Sequence, residues 1–220
     1  MKAGRPSTGR MSLTVLVVKS RRWRHGGWVV LTLAALAGSH RPVLAGASDM
    51  HLRWGEASYG YRYNPTHEPA WMGEGKALAL IARAADGWEA CGVRFRYEGI
   101  TDKPPGAMDR VNVIGWRQDG AKHSAWTHWR ARRSTGATME ADITLYANVF
   151  DEYRKRGLNI ELELYKSIVH ELGHVLGLAH SDRAGDSMSV RVRTRPEWRL
   201  PSDNDLARCR NNYRVAAAEL

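Results

Sequence analysis

Residues 170–180 read His-Glu-Leu-Gly-His-Val-Leu-Gly-Leu-Ala-His, and little but a metal-binding helix followed by a tight turn accommodates that run. An α-helix has ~3.6 residues per turn and rises ~1.5 Å per residue. His170 and His174 therefore stand one turn apart on one face, about 6 Å along the axis. Two imidazoles so placed can share a zinc ion. Glu171, about 100° further round the helix, lies beside that ion as a base for a zinc-activated water. Gly177 lets the chain leave the helix through a left-handed conformation, which suits glycine best. The turn then returns His180 as a third ligand. Three protein ligands leave one position open, the mark of a catalytic zinc site. A helix can hold His-Glu-x-x-His by chance, but the added glycine and third histidine must also fit the turn geometry.

The rest of the chain supplies a scaffold of mixed strands and helices. Ser58–Tyr63 alternates and is rich in tyrosine, which predicts a strand ending at Asn64-Pro65. Glu74–Ala90 predicts a helix with Leu78, Ile81, Ala82, Ala85 and Trp88 on one face, Trp88 as core. Val93–Tyr97, Arg110–Trp116 and Ala141–Tyr146 predict further strands, with Val111 and Val113 on one side of the second. Ala125–Arg130 (Ala125, Trp126, Thr127, His128, Trp129, Arg130) is aromatic, alternating and flanked by charge, as an edge strand would be. The metal helix starts near Glu161 and buries Tyr165, Ile168, Leu172, Val175 and Leu176, leaving His170 and His174 to face a cleft. A last helix begins at Ser202, where Ser202 and Asp205 resemble a capping box with Asp in place of Glu. Leu206, Cys209 and Tyr213 fall on its inner face.

A net charge of +10 invites a nucleic-acid reading, but its distribution opposes one. Residues 1–47 carry eight Lys or Arg and no acidic residue; without them 25 basic residues face 23 acidic ones, a net of +2. No basic patch interleaved with aromatics remains. The first 47 residues read as an export signal: a basic stretch to Arg24-His25, an apolar run from Trp28 to Ala37, and small residues at Ala45-Gly46-Ala47. An apolar run of about ten residues is too short to anchor a chain in a bilayer, which takes about 20. Cleavage after Ala47 leaves residues 48–220 as the mature domain, either secreted or periplasmic. Ser20-Arg21-Arg22 hints at a twin-arginine signal, although Arg24 stands where an aromatic residue is preferred, and Met11 is an alternative start.

Cys91 and Cys209 are the only two cysteines. Export into an oxidising compartment favours a single disulfide between them; the alternative is a pair of buried thiols acting as small apolar residues.

The zinc motif followed by Ser181 resembles that of the metzincin zinc endopeptidases and, within them, the matrixins, the matrix metalloproteinase-like family. Met188 follows His180 by eight residues, a spacing similar to that of the matrixin methionine turn. Ser202–Leu206 and Tyr213 resemble the start and end of the matrixin C-terminal helix. The resemblance spans roughly residues 54–214, with its specific part at 170–188. Astacins, another branch, usually carry glutamate where this chain has Ser181.

The resemblance implies an α+β, metzincin-type catalytic domain: a twisted, mostly parallel five-stranded sheet with an antiparallel edge strand, and three helices. It implies a secreted zinc-dependent endopeptidase with one catalytic zinc on His170, His174 and His180, and Glu171 as general base. Met188 would be an apolar floor beneath the zinc, and residues 125–129 would hold an extended peptide substrate by strand addition. The implied partner is a protein or peptide, bound by a monomer without stable membrane insertion and without nucleic acid. A zinc-binding module without catalysis is the competing reading, and the presence of Glu171 counts against it. No propeptide cysteine motif is found, so thiol-switch latency is not expected. His123 and His128 lack the spacing of the second zinc site of animal matrixins. Asp119 and Asp142 are candidates for calcium, against the alternative that both are solvated. Arg191, Arg193, Arg195 and Arg199 would form a basic rim favouring acidic or polar substrate side chains, against the alternative of a solvated loop.

Overall fold

The computed structural model describes residues 52–118, 122–189 and 200–218, with side chains described through Tyr213. The proposed signal, Asp119 and the four arginines of the proposed rim lie outside the described residues.

The strands are β1 (Ser58–Asn64), β2 (Arg94–Ile100), β3 (Val113–Arg117), β4 (Ala125–Ala131) and β5 (Thr138–Tyr146). The helices are α1 (Lys76–Glu89), α2 (Ala147–Lys155), α3 (Ile160–Val175) and α4 (Asp203–Ala218). The strands form one sheet in the order β2-β1-β3-β5-β4. β1 pairs in parallel with β2 and β3, and β3 in parallel with β5; β4 runs antiparallel to β5 at the edge. The fold is therefore α+β, with a mostly parallel sheet and one antiparallel edge strand. Among the described residues, no helix is long and apolar enough to cross a membrane.

The alternation in β1 has a direct outcome. Tyr59, Tyr61 and Tyr63 all point inward and are buried. A buried phenol needs a partner for its hydroxyl. Tyr59 donates to the Ala141 carbonyl at 2.8 Å, and Tyr63 donates to Glu68 Oε2 at 2.7 Å while accepting from Trp116 Nε1. Ile81, Ala84, Ala85 and Trp88 of α1 and Leu164, Tyr165, Ile168 and Leu172 of α3 complete the same core. Trp88 is fully buried and donates its indole N–H to the Val169 carbonyl, which ties α1 to the metal helix.

Several elements differ from the sequence expectation: β2 runs on to Ile100, β5 starts at Thr138, and two further differences have a local cause. A fourth helix, α2, joins the three expected. It buries Ala147 and Phe150, and its N-cap residue Tyr146 makes no capping bond. An apolar stripe barely two turns long, without a cap, gives little periodicity to read. β3 starts at Val113 rather than Arg110, because Met108 and Arg110 adopt positive φ of 56° and 75° in a turn. Asn112 then bridges strands with its side chain, donating to the Gly60 carbonyl and accepting from the Ala141 N–H.

Cys91, just past α1, is disulfide-bonded to Cys209 in α4, with Cα atoms 5.7 Å apart and 118 residues between them in sequence. Asp142 is fully buried rather than solvated, and its two carboxylate oxygens accept from the backbone N–H groups of Gly106 and Val113 at 2.7 and 2.8 Å. Burial pushes its carboxyl up to about 6, with Glu140 and Asp109 adding to the rise and the two backbone bonds opposing it.

Candidate metal centre

The metal helix is well specified at both ends. Asn159 caps α3 by accepting from the Leu162 N–H at 3.1 Å, and Glu161 and Glu163 sit in its first turn, where the helix dipole favours negative charge. At the other end Gly177 takes φ of 86°. Its N–H bonds the His174 carbonyl at 2.9 Å and the Leu178 N–H bonds the Gly173 carbonyl at 3.0 Å, the paired closure of a left-handed helix cap. A Cβ at position 177 would collide with the Leu52 carbonyl oxygen, so glycine is needed there twice over.

That turn brings the three histidines together. Ligand-capable nitrogens of His170, His174 and His180 all lie within 4.8 Å of one another, the one such group of histidine, cysteine or carboxylate side chains among the described residues. His170 Nδ1 lies 2.8 Å from the Ser187 carbonyl and His174 Nδ1 2.8 Å from the Leu178 carbonyl. A carbonyl can only accept, so both rings carry their proton on Nδ1 and present an Nε2 lone pair. His174 Nε2 faces His180 Nε2 at 3.2 Å, a spacing that calls for a shared proton or a cation between them. Burial holds all three imidazoles below their usual pKa, His174 down to about 3 with the neighbouring His170 adding to the effect. Three neutral imidazoles converging in this way fit a zinc ion's donor preference.

Glu171 is buried, and burial pushes its carboxyl up to about 7. The Thr127 hydroxyl opposes that rise by donating to Oε2 at 2.6 Å. A cleft of about 430 Å³ opens alongside, bordered by His170, Glu171, His180, Ser124, Lys166 and Tyr153, among others.

The segment 181–189 forms the floor. Met188 is fully buried, and the Ser181 N–H donates to its carbonyl at 2.7 Å. A Cβ on Gly173 would run into Met188 Sδ. Ser187, whose carbonyl orients His170, donates its own N–H to Asp205 Oδ2 at 2.7 Å. Asp205 also forms the capping box of α4, accepting from the Ser202 N–H while its own N–H donates to Ser202 Oγ. Asp186 joins the two segments, accepting from Ser181, Ser202 and Asn204 side chains.

A family model described as Matrixin matches residues 100–214, just over half of the chain. The chain belongs to the matrixin family. It is accordingly a zinc metallopeptidase, a hydrolase whose substrates are proteins or peptides. No curated protein matches this matrixin. Among solved structures it is similar to the GM1-bound form of the ECX AB5 holotoxin, at 15% identity over 76% of this chain and 86% of that chain, with a TM-score of 0.49. It is also similar to a zinc-dependent peptidase from Methanocorpusculum labreanum, at 12% identity over 70% of this chain and 99% of that chain, with a TM-score of 0.35. A third is metalloproteinase-II from Bacteroides fragilis, at 12% identity over 76% of this chain and 55% of that chain, with a TM-score of 0.37.

The other residues singled out in the sequence are placed as follows. Ala125 and Thr127 of β4 are buried toward α3, while Trp126 and Trp129 are 49% and 44% exposed. His128 is half-buried beside Gly106, and the His123 ring lies tilted against Trp126 with centroids 5.6 Å apart; neither joins the histidine cluster. Sequence reading missed three contributors in this matrixin. Gly173 admits Met188, and a glycine inside a helix was the available signal. Ser187 carries a backbone role that no side chain betrays. Thr127 reads from sequence as part of the substrate-holding edge strand, and its contact with Glu171 is not legible there because the two lie 44 residues apart.

Proposed function

We propose that this matrixin is an exported endopeptidase in which His170, His174 and His180 hold the zinc and Glu171 is the general base. The observation that carries the reading is the convergence of three neutral imidazoles beside one buried carboxylate that borders a cleft. A zinc ion held there supplies Lewis acidity, which polarises the scissile carbonyl and acidifies water. The Ser187 and Leu178 carbonyls fix the two helix imidazoles in the tautomer that binds metal. Glu171 accepts a proton from the attacking water and delivers it to the leaving amine. Met188 supplies an apolar floor and takes no part in the chemistry.

β4 is the outermost strand of the sheet, so one side of its backbone is unpaired by any described strand. An extended peptide laid along residues 125–129 would gain main-chain hydrogen bonds there, which suits an endopeptidase with modest sequence demands. The leader at 1–47 and the disulfide between Cys91 and Cys209 both support export to an oxidising compartment, with Ser48 as the first mature residue.

The test is cleavage of casein and a quenched peptide library, with and without a chelator, beside Glu171→Ala. Chelator-sensitive cleavage that disappears in the variant, with zinc still bound, is expected. Full activity in Glu171→Ala would sink the assignment. N-terminal sequencing of exported protein checks the cut after Ala47.

A further inference from the structure

Thr127 and Glu171 meet where β4 packs on α3. The Thr127 hydroxyl donates to Glu171 Oε2 at 2.6 Å, with the Glu171 carbonyl oxygen 3.1 Å away as a second acceptor. Thr127 is 9% exposed and Glu171 8%, so water competes little for this bond. A hydroxyl donating to a carboxylate at that distance is a charge-assisted bond, about twice as strong as a neutral one. Among the described residues no side chain other than Thr127 donates to the Glu171 carboxylate, which the Thr127 backbone N–H also favours in its charged form, and the residue borders the cleft.

The strand explains why residue 127 does this. Side chains alternate along β4, so Ala125 and Thr127 turn toward α3 while Trp126 turns away. Of those two inward positions only 127 carries a hydroxyl. A free glutamate side chain has several rotatable bonds and samples many positions, and misplacement of a catalytic group by about 1 Å can cost about 100-fold in rate.

We infer that Thr127 is a positioning residue for the hydrolysis: its hydroxyl holds Glu171 Oε2 so that Oε1 is the oxygen that takes and returns the proton. The inference rests on the proposed role of Glu171 as base, and adds which oxygen acts and what orients it. It also ties the base to the strand along which the substrate backbone would lie. Base and substrate then share one rigid reference, and a displacement of β4 moves both together.

Thr127→Val removes the hydroxyl at nearly constant shape, and Thr127→Ser keeps it. In the zinc-loaded chain, Thr127→Val is expected to lower kcat by roughly 10- to 100-fold with KM, zinc content and melting temperature unchanged. Thr127→Ser is expected to stay within about threefold of wild type in kcat. In the metal-free chain at alkaline pH, the carboxylate infrared band identified by its absence in Glu171→Gln should move in Thr127→Val and stay in Thr127→Ser. If the valine variant fails to fold, Thr127→Ala takes its place in both assays. Unchanged kcat in the hydroxyl-free variant, a rise in KM alone, or an unmoved infrared band overturns the inference. Glu171→Gln separates the two readings. Wild-type turnover there refutes the base itself. Loss of turnover there, with none in Thr127→Val, refutes the positioning role alone. In the double variant, Thr127→Val should add no further loss to that of Glu171→Gln.

Discussion

Met188 Sδ occupies the space where a side chain on Gly173 would begin. Trp88 Cζ2 also crowds that position, 3.0 Å away, and both Met188 and Trp88 are fully buried, so neither has room to swing away. Gly173→Ala gains about 1 kcal/mol of helix propensity but overpacks the site, which typically costs 1–3 kcal/mol. The expected result is a net loss of up to roughly 2 kcal/mol in urea unfolding, with weaker zinc retention as Met188 shifts. A more stable variant with unchanged zinc affinity would show that the floor is looser than this contact implies.

Asp205 reaches the metal centre at one remove, through the Ser187 peptide that orients His170. Outer partners of metal ligands typically contribute about 10- to 100-fold in affinity. Asp205→Ala should lower zinc affinity by about 10-fold and cost about 1 kcal/mol for the lost cap of α4. Titration with a competing chelator reads the first effect and thermal unfolding the second. Loss of stability with no change in affinity would confine Asp205 to the cap.

The disulfide fastens the end of α1 to α4 across 118 residues of sequence. Removing a native disulfide from a small exported domain typically costs about 2–5 kcal/mol. Cys91→Ala/Cys209→Ala should lose stability in that range while kcat at low temperature is retained, because neither residue borders the cleft. A lost kcat in folded protein would count against a purely structural bond.

Asp142 gives a pH dependence whose sign can be worked out. Its folded pKa of about 6 lies above the ordinary 3.8, so the folded state keeps a proton that the unfolded state has released. The stability from this group is therefore full below about pH 4, falls as pH rises through about 6, and is absent above that. A shift of this size is on the order of 3 kcal/mol. Asp142→Asn does not titrate, and its amide nitrogen cannot accept the N–H that one oxygen now receives. The variant is thus less stable, and its deficit against wild type should shrink between pH 4 and pH 7. A deficit independent of pH would place the pKa near its ordinary value.

What could be read from sequence was mostly local chemistry. Histidines at fixed spacing, the Ser202–Asp205 capping box and the alternating tyrosines of β1 each show within a few residues. The contacts that orient the site cross long stretches of chain. Thr127 meets Glu171 and Ser187 meets His170 only after the sheet and the floor have formed. Asp142 reads from sequence as a calcium ligand or a solvated acid because its backbone partners, Gly106 and Val113, lie 36 and 29 residues before it. α2 escaped because two buried residues in nine make too short a stripe to read.

The strand order also carries a kinetic consequence. β4 and β5 are neighbours in sequence and form an antiparallel pair, so they can zip together early. The centre of the sheet is different: β3 must join β1, nearly 50 residues before it, and β5, with β4 intervening in the chain. Closing such loops before the contacts reward it slows folding, which places this domain among chains that fold in milliseconds to seconds rather than microseconds. Until β3 docks, β1 and β5 each expose an unpaired edge. The nascent domain is therefore most vulnerable to aggregation in the interval between forming its outer hairpin and closing its middle.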